Sequence, residues 1–216
     1  MIIQKIYDKY QIMPQLQLHM LKVSGVAHLI CDSFNKPIDK DAIISACLLH
    51  DMGNMAKIKL DRFPDLIQGE NSDYWEKVLE QFREKYGNDD YQATYKILAD
   101  LNISKNLQKT IYSLEFAKAP KNAKSRNYTN KICLYSDART CPHGVVSLEE
   151  RLIEVKDRYM KNKKVSGETF NQISKGLDII EGQIFNYCSL KPDDITEKKI
   201  KPLITNLRYF DIKTES

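Results

Sequence analysis

Four residues in this chain have the types that could share one reaction centre: His19, the adjacent pair His50–Asp51, and Asp137. Two imidazoles and two carboxylates suit Mn, Fe, Co, Ni or Zn, and carboxylates also admit Mg. Such a set would leave about two positions open on an octahedral ion, for water and a substrate oxygen. An HD dipeptide alone occurs by chance in many proteins, and a lone helical histidine is usually a packing residue. The combination is more informative. An apolar run, AIISACLL, ends in the ligand pair and Gly53, with one histidine upstream and one aspartate far downstream.

The elements that must position these residues read as helices. Pro14 fits a first-turn position, and Leu16, Met20, Val23, Ala27 and Ile30 recur at spacings of three and four. His19 and His28 lie nine residues apart on this helix and so project from opposite faces, at about 100° per residue. Only one can face a shared site, and we choose His19. A second helix opens at Asp39, an N-cap residue, and runs into His50–Asp51, with Gly53 as a left-handed terminator.

Beyond an irregular piece around Phe63–Pro64, SDYWEKVLEQFREKYG reads as a helix capped by Ser72 and closed by Gly87. Further helices are expected from Asp89 to Leu101, from Ser104, and from Tyr128 to Ala138 with Asp137 near its end. Two long helices at roughly 147–162 and 166–188 and a last one after Pro192 follow. Val165, Phe170, Ile173, Leu177, Ile180 and Ile184 continue a core-type stripe. There is no hairpin signal and no internal repeat. The expected class is all-α, as one domain over residues 1–216.

A hydrophobic fraction of 42% beside 29% charged residues reads as soluble and globular, and a net charge of +4 is too small to imply nucleic acid or an anionic membrane. No run approaches the roughly 18 apolar residues of a membrane helix. The first residues lack a signal-peptide pattern, so a cytoplasmic location is expected. Five scattered cysteines read as reduced thiols, and Cys133, Cys141 and His143 lack the paired spacings of structural zinc sites. The segment 118–127 is the most loop-like and 156–167 the most basic; positive charge near a solvated helix end explains both more simply than phosphate binding.

The stretches LHMLKVSGVAHLI, ACLLHDMGN and KICLYSDARTCPHGVV resemble the HD superfamily of metal-dependent phosphohydrolases, whose signature is H…HD…D on a helical core. The resemblance covers about residues 14–145 and leaves 146–216 as additional C-terminal helices. It implies an HD-type helical bundle in which His19, His50, Asp51 and Asp137 hold one divalent metal ion. It also implies hydrolysis of a phosphate ester, a nucleotide or small phosphorylated metabolite, by a metal-activated water, with Asp51 or Asp137 as proton acceptor. No histidine lies between Asp51 and Asp137. That departs from the branches that hold a second metal there and favours a mononuclear site. Asn54 stands where nucleotidase-like members carry glutamate, so the proton donor to the leaving group is unassigned.

Lys22, one turn beyond His19, and Lys57, just past the pair, are expected with Asn54 to contact substrate phosphate. The alternatives are a non-catalytic metal- and nucleotide-binding module and, less favoured, a hydrolase acting on nucleic acid. A homodimer stays open.

Overall fold

The computed structural model describes residues 1–60, 71–141, 143–161 and 166–215. The irregular piece at Phe63–Pro64 and the core position Val165 lie outside them, as does part of the basic segment. The chain is all-α: the described residues form eleven α-helices, with short 3-10 segments in some of the connections.

The first helices run as α1 (Ile3–Lys9), α2 (Pro14–Ser33) and α3 (Lys40–Leu49). The middle ones are α4 (Ser72–Tyr86), α5 (Asp90–Asp100), α6 (Lys105–Tyr112), α7 (Ala119–Lys124) and α8 (Tyr128–Ala138). After a small hairpin come α9 (Leu148–Lys161), α10 (Gly167–Phe185) and α11 (Glu197–Leu207).

Helix α2 begins with Pro14 at its first turn, where a missing N–H costs no hydrogen bond. It buries Met20, Leu21, Val23, Val26, Ala27 and Ile30. More than one face is covered because α3, α8 and α11 all pack on it. Gly25 permits the α11 approach: a Cβ there would stand 3.1 Å from the Ile200 Cβ. Helix α3 is capped by Asp39, whose carboxylate accepts from the Ala42 N–H at 3.0 Å. Seven consecutive residues, Ile43 to Leu49, are buried, which is the pattern of a helix enclosed by the bundle.

The C-terminal helices share this core. Ile173, Leu177, Ile180, Ile184, Ile200 and Leu207 belong to the same hydrophobic cluster as α2 and α3. The chain ends are also tied together, with Ile3 N–H donating to Phe210 O at 2.9 Å.

Several local expectations are corrected. The cap of α4 is Asn71, which accepts from Tyr74 N–H, rather than Ser72. The loop-like stretch 118–127 contains α7, packed on α10. Close approach allows this, since a Cβ on Gly176 would meet the Ala119 carbonyl carbon at 2.7 Å. Helix α10 stops at Phe185. A minimal antiparallel hairpin, β1 (Thr140–Cys141) with β2 (Gly144–Val145), follows α8 although no hairpin was expected. Two residues per strand are too few to show an alternating pattern.

Candidate metal centre

Three elements converge on one point: the first third of α2, the end of α3 and the end of α8. Helix α3 stops at Leu49, and His50 keeps helical dihedrals while Asp51 leaves them. The His50 ring folds back so that its Nδ1–H donates to the Cys47 carbonyl at 2.8 Å. A carbonyl can only accept, so the Nδ1 proton is fixed and Nε2 is turned inward.

His50 Nε2 then lies 3.6 Å from Asp51 Oδ2 and 3.5 Å from Asp137 Oδ1. His19 Nε2 lies 3.6 Å and 3.2 Å from the same two oxygens. The His50 side chain is only 5% exposed, and its Nε2 is buried without a hydrogen-bond partner. Donor atoms of His19, His50 and Asp51 lie within 4.8 Å of one another, and Asp137 closes on both histidines.

This arrangement fits a divalent cation. With metal–ligand bonds of about 2.0–2.2 Å, neighbouring donors stand roughly 3 Å apart on an octahedron and about 3.4 Å apart on a tetrahedron. The four nitrogen–oxygen separations of 3.2–3.6 Å match that range. Without a cation, a neutral His50 would aim a buried lone pair at two carboxylates. Burial by itself lowers the pKa of His50. The charge of Asp51 and the closeness and charge of Asp137 outweigh it and raise the value to about 9. Burial raises the Asp137 pKa, but the two imidazoles more than reverse this and hold it well below the usual carboxylate range. A proton on His50 or a metal ion would therefore offset the carboxylate charge of this cluster.

A model of the HD domain matches residues 17–135, more than half of the 216-residue chain. The chain belongs to the HD domain family. That family is one of metal-dependent phosphohydrolases, as the resemblance implied. The match includes His19, His50 and Asp51 and ends two residues before Asp137 (137 − 135 = 2). No curated protein and no solved structure matches the chain significantly.

The segment after the HD pair is a 3-10 turn, Met52–Lys57, clamped against α4 and α5. Gly53 N–H donates to Thr94 Oγ1 at 3.0 Å. Arg83 of α4 donates to the Ala56 carbonyl at 3.1 Å and the Ile58 carbonyl at 2.5 Å. Gly53 does not have the expected left-handed conformation; positive φ among the described glycines occurs at Gly87 and Gly144. Its use is close approach, since a Cβ would lie 2.0 Å from Asp90 O. Thr94 and Arg83 were missed in the sequence because nothing local marks a threonine or arginine that serves a distant turn.

The three expected substrate contacts are placed differently from the four candidate ligands. Lys57 forms a 2.6 Å ion pair with Asp90. Lys22 pairs with Glu197 at the start of α11, at 2.9 Å. Asn54 sits inside the 3-10 turn with its N–H on Asp51 O at 2.9 Å, and its side chain is half-buried.

His28 turns away, as helical geometry requires, and contacts Asp32 at 3.0 Å. Cys133 is buried with its thiol on Ile43 O, while His143 is exposed. Arg139 is structural: it donates to the Val146, Pro192 and Ile195 carbonyls and to the Tyr135 hydroxyl.

Proposed function

We propose that this HD domain protein hydrolyses a phosphate ester, a nucleotide or small phosphorylated metabolite, with His19, His50, Asp51 and Asp137 holding one divalent ion. The observation that carries the reading is the buried, unpartnered His50 Nε2 facing two carboxylates beside a second imidazole. When bound, the ion supplies Lewis acidity toward water and a phosphoryl oxygen.

The protein's own residues divide the remaining work. Cys47 O fixes the His50 tautomer, an outer contact of the kind that orients metal-binding imidazoles. Asp137, held strongly ionised by the two histidines, serves as a ligand rather than a base at neutral pH. Asp51 is the proton acceptor, because the turn that follows it is clamped by Thr94 and Arg83 and fixes its backbone. Lys22 and Asn54 flank this group in sequence and are the nearer candidates for phosphate contacts. Lys57, which is 55% exposed and paired with Asp90, is the weaker one.

One observation favours the second reading, a module that binds without turnover: both lysines expected on phosphate are already paired with carboxylates. A nucleic-acid role gains nothing from Lys118, which is spent on Tyr112 O and Glu115. No described helix is long and apolar enough to cross a membrane.

The deciding experiment is metal content of the purified protein, followed by phosphate release from a nucleotide and sugar-phosphate panel with Mn, Co, Ni and Mg restored. About one ion per chain and selective, metal-dependent release is the expected result. A bound ion with nucleotide-induced stabilisation and no release would establish the binding module instead. Protein that takes up no ion under any condition would sink both readings.

A further inference from the structure

Glu197 is the first residue of α11, and its carboxylate is gripped from two sides. Oε1 lies 2.9 Å from Lys22 Nζ, and Oε2 accepts from the Val145 N–H at 3.0 Å. An ammonium and a backbone amide that hold two oxygens of one anion are also the donors a phosphoryl group needs.

The location ties them to the candidate centre. Lys22 follows His19 by one turn on the same face of α2, and residues so spaced have Cβ atoms about 5–6 Å apart. Val145 belongs to the hairpin that begins three residues after Asp137 (140 − 137 = 3). One donor therefore shares α2 with His19, and the other lies in the hairpin that directly follows the helix of Asp137.

Gly144 keeps the space between them open. A Cβ there would lie 3.0 Å from Glu197 Oε2 and 3.8 Å from Lys22 Nζ, and its φ of +134° also disfavours other residues. Donor and acceptor differ in burial. The Lys22 side chain is 14% exposed and the Glu197 side chain 46% exposed. Lys22 is held in place, while Glu197 stands at the solvent edge and can leave.

We propose that Lys22 and the Val145 amide form a phosphate subsite of the candidate centre, and that Glu197 occupies it as a displaceable counter-anion. The inference rests on the phosphohydrolase reading of that centre. A half-exposed carboxylate–ammonium pair is weakly held, whereas a phosphate group brings more charge and three acceptor oxygens to the same donors. Substrate would exchange with Glu197 on entry, and Glu197 would disfavour ligands that lack a phosphate.

The test uses metal-stripped, nitrogen-15-labelled full-length protein titrated with inorganic phosphate. The Gly144 and Val145 amide resonances are expected to shift saturably. In Glu197→Gln, which keeps an acceptor for the amide but removes the charge, phosphate should bind about tenfold tighter. Adding Lys22→Met to that variant should abolish the gain. The proposal is overturned if the Val145 amide of the unaltered protein does not respond to phosphate. It is equally overturned if Glu197→Gln leaves the affinity unchanged, or if the gain survives Lys22→Met. The first of these readouts needs no variant to fold. None involves turnover, so a negative result leaves the phosphohydrolase reading standing. Phosphate bound at Val145 by a protein that cleaves no ester would remove that reading alone.

Discussion

Gly53 lies so close to Thr94 that a methyl group on its Cα would stand 2.4 Å from the threonine hydroxyl oxygen and 2.5 Å from the threonine backbone nitrogen. The carbonyl of Asp90 would be nearer still, at 2.0 Å. The turn after the HD pair can therefore lie flat on the start of α5 only without a side chain at position 53. Gly53→Ala is expected to destabilise the protein by about 2–3 kcal/mol or more, because backbone atoms must move to admit the methyl group. Chemical denaturation of the variant checks the stability, and a metal titration should show weaker binding as Asp51 is displaced. A variant as stable as the parent would mean that this contact is not as close as described.

Asp137 is the one candidate ligand contributed by α8, and its carboxylate contacts both histidines. Asp137→Ala should abolish metal-dependent turnover and lower metal affinity by at least about tenfold, with helical content nearly unchanged. Circular dichroism and a metal titration on the same sample separate loss of the site from loss of the fold. Unaltered metal affinity would remove Asp137 from the ligand set.

Protons and metal compete for His50. In the metal-free protein its pKa is raised from 6.5 to about 9, so the imidazolium stabilises the fold fully below about pH 6.5, and that contribution fades as pH rises through about 9. Metal binding requires the neutral ring, so it must release this proton at neutral pH. Apparent metal affinity is expected to climb by up to about tenfold per pH unit between about 6.5 and 9 and then level off. Asp137 stays ionised throughout and adds no slope in this window. Calorimetry in buffers of different ionisation heat measures the released proton. Affinity that is flat across this range would show that His50 is not a ligand.

Arg139 bonds to no carboxylate among the described residues; it spends its guanidinium on three carbonyls and the Tyr135 hydroxyl. These contacts join the end of α8 to the hairpin and to the segment before α11, the two pieces that hold Glu197 beside Lys22. Arg139→Met should cost about 2–4 kcal/mol, since it leaves partly buried carbonyls without donors. Thermal melting checks the size, and hydrogen exchange should localise the loosening to residues 140–147 and 192–197. Uniform loosening across α2 and α3 instead would contradict this placement.

Much of the helical scaffold could be read from local signals. Asp39, Asp89, Ser104 and Pro14 mark helix starts because a cap or a first-turn proline acts within one turn of its own position. Asp137 was placed on a helix from Tyr128 to Ala138, and α8 has those bounds. That His19 and His28 do not face one site together also needed only helical geometry, since residues nine apart cannot share a face. The types of the candidate ligands, their order along the chain and the family membership were therefore contained in the sequence.

Only the tertiary structure decided what those residues meet. No spacing rule says that α8 brings Asp137 to within 3.2 Å of His19, or that a glutamate 175 residues beyond Lys22 (197 − 22 = 175) becomes its partner. Gly53 was legible as a glycine in the right place but for the wrong reason, because close approach depends on where α5 lies rather than on local dihedrals. Capping and periodicity act over one or two turns, so local sequence records them. Convergence of distant side chains follows from packing the whole core, and that information is spread over every buried residue of the bundle.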